Sequence, residues 1–213
     1  MWSDSSPLHL TTIAEHRPHI GAHGFSALIV SLFRQHGSLC PKSFKETERD
    51  GISHLTLFDT GPDSRSLARN LSSLKVPIEK IERVIISHWH RDHTGGLLSY
   101  LDGRRSNTNS PCIVDVHPDR PFARGIAPGP TYDKVLCALP PDPTFELIEA
   151  AGGVLEKHAE GHVVAGGTIW VSDEIPRVTE FENGLLGGMR WHEVNGSKSR
   201  YACGYFFATS ALC

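Results

Sequence analysis

The sequence His88-Trp89-His90-Arg91-Asp92-His93 decides the fold of this chain. It places three imidazoles and one carboxylate within six residues. The apolar run Val84-Ile85-Ile86-Ser87 comes directly before it and predicts a buried strand. Thr94-Gly95-Gly96 follows, and the apolar residues from Leu97 to Leu101 predict the start of a helix. A strand end that carries these side chains into a glycine-containing turn predicts a metal site.

The spacing of these ligands predicts which side chains share an ion. Alternate residues of an extended segment point the same way, so His88 and His90 can bind one ion together. Asp92 and His93 lie where the chain turns, and they can face a neighbouring ion. Imidazole nitrogen and carboxylate oxygen suit Zn²⁺, and also Fe or Mn. Two ions roughly 3.5–4 Å apart would lower the pKa of a shared water towards ~7, which makes a nucleophile at neutral pH.

A surface loop that is merely rich in histidine is the alternative interpretation, because the chain has 13 histidines in 213 residues. The order of the ligands between a strand and a Gly-Gly turn favours the metal site. His-x-His-x-Asp-His after an apolar strand resembles the signature of the metallo-β-lactamase-fold superfamily. The resemblance implies an α/β fold, a metallo-β-lactamase-like αβ/βα layered sandwich.

A second segment, Leu57-Phe58-Asp59-Thr60-Gly61, resembles the first motif of the same superfamily. There the Asp ends an early strand and lies close to the metals without binding them. The resemblance implies that Asp59 fixes the orientation of a ligating imidazole. A turn-forming Asp before Gly is the alternative.

Two further segments resemble one branch of the superfamily, named for 7,8-dihydropterin-6-methyl-4-(β-D-ribofuranosyl)aminobenzene 5'-phosphate synthase. They are His23-Gly24-Phe25-Ser26-Ala27-Leu28-Ile29 and the stretch from Ser172 to Glu182. The second contains Asp173-Glu174-Ile175-Pro176-Arg177 where members of the branch usually read Gly-Glu-Ile-Pro-Arg. The branch name implies a phosphorylated, pterin-like substrate, although one fold hosts many chemistries.

The resemblance also implies ligands that the sequence does not visibly supply. The superfamily normally adds a third His for the first metal, an Asp that bridges both metals, and a last His for the second. In the named branch these come mostly from a Cys-Ser-His-Ala-Gly segment and a later His. We therefore expect the fold to be incomplete, with its C-terminal half truncated, and this chain to bind metal weakly and hydrolyse little.

Other polar residues are weaker ligand candidates. His162 precedes a predicted strand and Asp173 follows it, which are the places of a third His and a bridging Asp, but only 11 residues separate them. An ordinary loop histidine is the alternative for His162. His117 can line a pocket or belong to an ordinary turn with Pro118, and His158 and His192 have no supporting context.

Three functions compete. The first is a Zn-dependent hydrolase in which activated water attacks a phosphoester, ester, thioester or lactone bond. The metals would be held by His88, His90, Asp92 and His93, and Asp59 would orient these ligands. Asp92 would also carry a proton as the catalytic residue. The second is a truncated, weak or inactive homologue that acts through association. The third is a diiron electron-transfer protein, which normally accompanies a flavin-binding domain for which this chain has no room.

Composition limits the class of protein. The length fits one domain, predicted over residues 21–195, with an N-terminal arm at 1–20 and an atypical tail at 196–213. A net charge of −3 without a basic run argues against nucleic acid, and no stretch of 18 apolar residues predicts a membrane span. Five scattered cysteines and no signal pattern predict reduced thiols and a cytoplasmic location. We expect a small-molecule substrate. We also expect a homo-oligomer, formed through the apolar layer that an incomplete fold would expose.

Strands and helices alternate in the predicted secondary structure, which is typical of layered α/β folds. Leucines at helical spacing favour a helix over residues 64–74, capped by Asp63. The predicted strands are 25–33, 52–58, 84–87, 112–116, 154–156 and 168–172; a second helix is predicted at 143–151, a loop or hairpin at 35–50, and loops at 103–111 and 122–130.

Overall fold

The computed structural model describes residues 27–31, 43–172, 180, 186–194 and 197–202. The predicted arm at 1–20 lies outside them. The helices are α1 (Ser64–Ser73), α2 (Arg91–Thr94), α3 (Leu97–Arg105) and α4 (Phe145–Ala150). The strands are β1 (Ala27–Ser31), β2 (Ser43–Arg49), β3 (Ile52–Phe58), β4 (Ile81–Ile85), β5 (Cys112–Val116), β6 (Ala123–Ile126), β7 (Cys137–Ala138), β8 (Gly153–Lys157), β9 (His162–Val164), β10 (Ile169–Val171), β11 (Gly188–Val194) and β12 (Ser197–Ala202).

A six-stranded mixed sheet is the centre of the described structure, with the strand order β1-β2-β3-β4-β5-β8. The first three strands are antiparallel, and β3, β4, β5 and β8 are parallel. Parallel neighbours need crossover connections, which α1, α3 and α4 provide. The α/β class predicted from the sequence is therefore confirmed. No helix within the described ranges is long and apolar enough to cross a membrane.

The helices cover one face of this sheet. Leu67 and Leu71 of α1, the predicted leucine stripe, pack in the same buried cluster as Val84 of β4 and Val114 of β5. Since side chains alternate along a strand, the next residues point to the opposite face. Ile85 accordingly belongs to a second cluster that contains no helix residue.

The β9–β10 hairpin covers part of that opposite face. Val164, Ile169 and Val171 of the hairpin pack with Ile85, and Phe58 borders them. A separate antiparallel sheet has the order β12-β11-β6-β7. Its strand β12 lies within the segment that the sequence assigns to the tail, and it pairs with β11 from Met189↔Ala202 to Val194↔Ser197.

Most predicted elements are present, and the errors have physical reasons. The strand 52–58 and the strand 112–116 agree with β3 and β5, and Asp63 caps α1 through a 2.9 Å hydrogen bond from the Ser66 amide to Oδ1. The predicted loop at 122–130 is wrong, because β6 runs through it and is held by β11, a partner 60 or so residues away that local sequence does not reveal. The loop predicted to begin at Gly103 is also wrong at its start, since α3 continues to Arg105.

Candidate metal centre

The segment from His88 to His93, called the histidine loop from here on, changes conformation midway. Strand β4 ends at Ile85, and the Ile86 amide still donates to the Asp115 carbonyl of β5 at 3.0 Å. His90 has extended backbone angles, φ −132° and ψ 147°, and α2 begins at the next residue. An extended start followed by a helical turn delivers the side chains on both sides of the bend to one place.

The four predicted ligands converge as two pairs. His88 Nε2 lies 3.2 Å from His90 Nδ1. His93 Nε2 lies 3.3 Å from Asp92 Oδ2. The rings of His88 and His93 connect the pairs, with their centroids 4.0 Å apart. These are the pairs that the sequence predicts, one from the alternation of an extended segment and one from the turn, and their role as metal ligands stays a prediction.

Asp59 lies fully buried beneath the histidine loop. Its Oδ2 accepts hydrogen bonds from His93 Nδ1 at 2.6 Å and from the Ser87 hydroxyl at 2.8 Å. Its Oδ1 accepts the Ser87 amide at 2.8 Å. A carboxylate on Nδ1 fixes the ring orientation and directs Nε2 outward, which is how carboxylates support metal-binding histidines.

The backbone of Asp59 is left-handed, with φ +57°. Asp tolerates this region better than most residues. The turn lets the next residue, Thr60, donate its amide to the His93 carbonyl at 2.7 Å and its hydroxyl to the same oxygen at 2.8 Å. The two sequence motifs are therefore bonded to each other directly.

Gly95 and Gly96 make this close approach possible. A Cβ added to Gly95 would collide with the Pro62 carbonyl oxygen, and one added to Gly96 would collide with the Thr60 carbonyl oxygen. The Gly96 amide donates to the Gly61 carbonyl at 3.2 Å. The Gly-Gly pair after the histidine loop is thus explained by backbone packing against the Asp59 turn.

A buried ion pair supports the loop from the other side, and sequence analysis missed it. Arg124 of β6 donates to both carboxylate oxygens of Asp142, at 2.9 and 3.1 Å. The Thr94 hydroxyl at the end of α2 lies 2.8 Å from Asp142 Oδ1 and 3.2 Å from the His90 carbonyl. Asp142 stands among prolines in the sequence, which indicates only a loop, so no local signal would have found it.

Two imidazoles of the loop are neutral at neutral pH. Burial, together with the neighbouring His93 and His90, lowers the pKa of His88 to about 3. Burial and the positive charge of Arg124 lower the pKa of His90 to about 4. Metal binding requires unprotonated imidazole, so these residues fit a divalent ion without first losing a proton.

His93 and Asp92 carry opposite charges. Burial lowers the pKa of His93, but the hydrogen bonds to Asp59 and Asp92 outweigh it and raise that pKa to about 9. The hydrogen bond from His93 in turn holds the pKa of Asp92 well below its usual range. The proton on His93 is the one that a metal at this pair would displace.

The weaker candidates lie elsewhere. His162 Nε2 lies 2.8 Å from Asp115 Oδ2, and the His162 ring stacks on that of His158. His117 Nδ1 accepts the Asp119 amide at 3.1 Å, which is an ordinary turn contact. Asp173 and the side chain of His192 lie outside the described residues.

Comparisons with known proteins identify the family of this chain. The family model of the metallo-beta-lactamase superfamily matches residues 50–179, which is more than half of the chain. The matched range contains Asp59 and the whole histidine loop.

Individual proteins match this chain over different lengths. The chain is 34% identical over 74 residues to 7,8-dihydropterin-6-methyl-4-(beta-D-ribofuranosyl)-aminobenzene-5'-phosphate synthase of Methanocaldococcus jannaschii, which covers 35% of this chain and 24% of the synthase. YhfI of Bacillus subtilis, a metallo-beta-lactamase fold protein, matches 78% of this chain and 56% of its own at 14% identity and a TM-score of 0.42. The short form of human tRNase Z matches 44% of this chain and 34% of its own at 19% identity and a TM-score of 0.33. The chain thus spans about a quarter of the synthase and just over half of YhfI.

Proposed function

The chain belongs to the metallo-beta-lactamase superfamily, and from that premise we propose that it is a metal-dependent hydrolase of a small molecule. The membership also confirms the layered α/β sandwich expected from the sequence. The observation that supports the proposal is the convergence of two ligand pairs above the buried carboxylate of Asp59.

The donor set suits a borderline or hard divalent ion. His88 with His90 would hold one ion, and Asp92 with His93 would hold the second; Zn²⁺ is the first choice, with Fe or Mn as alternatives. When bound, the metal supplies the Lewis acidity that activates water towards an ester, thioester, lactone or phosphoester bond. Because each pair offers only two protein ligands, we expect the loop to hold its metal weakly by itself.

The residues around the loop have separate tasks in this proposal. Asp59 keeps His93 oriented, with Nε2 directed towards Asp92. Asp92 is ionised at neutral pH and can accept a proton, but its lowered pKa makes it a weak base. It is therefore better suited to binding the metal and holding a proton briefly than to removing one from an unactivated water.

Arg124 is an unsuitable contact for an anionic substrate. It is buried and both of its hydrogen-bonding nitrogens point to Asp142. We expect it to act through its charge, which adds to the effect of burial in lowering the pKa of His90.

The substrate proposed for the first test is a phosphorylated compound. The printed name of the Methanocaldococcus jannaschii synthase ends in a 5'-phosphate. A phosphodiester and a carboxylic ester with the same chromogenic leaving group would separate phosphoester hydrolysis from ester hydrolysis.

The test is metal content and hydrolysis by the purified chain. Because the loop is expected to hold its metal weakly, Zn²⁺ is supplied in excess, and we expect turnover of the phosphodiester that disappears when both His88 and His90 are changed to Ala. His54→Ala is the matched control, because His54 pairs with a single carboxylate, Glu82, at 2.9 Å and lies outside the loop. Sub-stoichiometric metal with no turnover of either substrate would instead support a non-catalytic homologue.

A further inference from the structure

A second group of metal-ligating side chains lies outside the histidine loop. Among the residues that the structure describes, Asp115, His158 and His162 bring one ligand atom each to within 4.8 Å of one another. They come from β5, from the residue after β8 and from the start of β9. We call them the Asp115 cluster.

The two imidazoles of the cluster lie against two carboxylates. His162 Nε2 is 2.8 Å from Asp115 Oδ2, and His158 Nε2 is 3.4 Å from Glu156 Oε2. The two rings are stacked, with centroids 3.7 Å apart and planes 19° from parallel. Two stacked imidazoles that both direct Nε2 to a carboxylate form a preassembled set of nitrogen and oxygen donors.

The register of the sheet explains why the carboxylates are together. Asp115 of β5 is directly opposite Glu156 of β8. Arg83 of β4 donates from Nη1 to Asp115 Oδ2 and to Glu156 Oε2, both at 2.7 Å. The donors therefore have a fixed position on the sheet face that the β9–β10 hairpin partly covers.

The charges of this group do not cancel. Asp115 and Glu156 supply two negative charges and Arg83 supplies one positive charge, so one negative charge remains when the imidazoles are neutral. Asp115 is only 3% exposed. This charge is shared by Asp115 and the partly exposed Glu156, and it favours a cation beside them.

We propose that Asp115, His158 and His162 form a second metal site, which binds a divalent ion with a preference for imidazole such as Zn²⁺. Two imidazoles and one carboxylate are a common protein donor set for such ions, and the remaining positions go to water or to Glu156. The ion would join the start of β9 to the six-stranded sheet. Its role is structural, because none of its ligands belongs to the histidine loop.

The competing explanation is an ion-pair network in which His162 carries a proton. In a third explanation, His162 is a ligand of the histidine loop. The three explanations predict different numbers of bound metal ions for the variants. A metal titration of the whole chain therefore separates them without any measurement of hydrolysis.

The experiment is a Zn²⁺ titration of the metal-free chain by calorimetry, with metal analysis after dialysis. In the His88→Ala/His90→Ala variant, which keeps the Asp92–His93 pair, we expect the equivalent at the Asp115 cluster to remain bound. In the His158→Ala/His162→Ala variant we expect that equivalent to be lost, or its affinity to fall at least about tenfold, as for removal of zinc ligands or their supports. His54→Ala, which removes a histidine paired with one carboxylate only, should leave the stoichiometry unchanged.

Two results would overturn the site. One is a loop variant, His88→Ala/His90→Ala, that binds no metal; the other is an unchanged stoichiometry in His158→Ala/His162→Ala. Anomalous scattering at the zinc edge from crystals of the unmodified chain locates the ion independently of any variant. A peak among the three side chains is expected, and a peak at the histidine loop alone would contradict the assignment even if a variant failed to fold.

Discussion

The histidine loop and the Asp115 cluster contain the same kinds of side chain but are built differently. The loop is one continuous segment, and its support, Asp59, is buried and bonded to His93 through Oδ2 and to Ser87, directly before the loop, through both carboxylate oxygens. The Asp115 cluster is assembled from separate parts of the chain by strand register, and its member His158 and the neighbouring Glu156 are about one-third exposed, at 34% and 37%.

That difference predicts how strongly a change at each site lowers the free energy of unfolding. The loop shares hydrogen bonds and packing with the Asp59 turn, so a change there disturbs the core as well as the ligands. The cluster is reached by solvent on one side, and its ion pairs are screened. We therefore expect changes at the loop to destabilise the fold and changes at the exposed side of the cluster to affect mainly metal binding.

The largest effect is expected from Gly95→Ala. The new Cβ would collide with the Pro62 carbonyl oxygen, which is backbone and cannot move without separating the two motifs. We expect a loss of more than about 3 kcal/mol, in the range of severe backbone and packing defects. Gly103→Ala is the matched control, because Gly103 lies in α3 with nothing within 4 Å of the added Cβ, and it should stabilise by about 0.5–1 kcal/mol. Urea unfolding measures both variants. Similar midpoints would show that the packing of Gly95 against the Pro62 carbonyl does not stabilise the fold.

Asp142→Ala is the next largest. It leaves Arg124 buried without its carboxylate partner, and breaking a buried ion pair typically costs about 3–5 kcal/mol. It also removes the Thr94 contact at the end of α2. The double variant Asp142→Ala/Arg124→Met should recover much of the loss in thermal unfolding. If the double variant is no more stable than Asp142→Ala, the cost does not come from the unpaired charge.

Asp59→Asn tests the support of the loop with a small change of shape. Asn tolerates left-handed backbone angles, so the turn at φ +57° can persist. The charge that orients His93 is lost, and we expect metal affinity to fall about 10–100-fold, as for other carboxylates behind metal-binding histidines. The measurement is the Zn²⁺ dissociation constant in the His158→Ala/His162→Ala background. An unchanged constant would make Asp59 a turn former only.

Sequence predicted the loop well because its chemistry is local. The candidate ligands lie within the single segment His88–His93, and both the Asp59 turn and the Gly95-Gly96 pair carry recognisable patterns. The Asp115 cluster could not be predicted, since it depends on which residue of β8 lies opposite Asp115. For the same reason, the sequence indicates His162 only as a weak ligand candidate of the loop or as an ordinary loop histidine. Strand β6 and its ion pair to Asp142 depend likewise on partners distant in sequence.

The pH dependence of the metal-free chain should reveal the buried imidazoles. The pKa values of His88 and His90 are lowered to about 3 and about 4 in the folded chain. Between pH 6.5 and those values the unfolded chain binds more protons, so the free energy of unfolding decreases as pH falls. The pKa of His93 is raised to about 9, so its stabilising effect is full below pH 6.5 and is lost as pH rises through 9. Stability should be greatest near pH 6.5 and fall by at most about 1.4 kcal/mol per pH unit for each histidine. Chemical denaturation from pH 4.5 to 9 checks this, and His88→Ala should flatten the acid side.

The smallest effect is expected from Glu156→Gln in the metal-free chain. Arg83 keeps its hydrogen bond to the buried Asp115, and Glu156 is 37% exposed, so the lost ion pair is screened and should change stability by less than about 1 kcal/mol. Asp115→Asn removes the charge of the other, buried carboxylate partner of Arg83 and should lower the free energy of unfolding more. Thermal unfolding of the two variants decides how far the cluster resembles the loop. Equal losses would mean that its exposed side is as tightly coupled to the core as Asp59, and the contrast between the two sites would not hold.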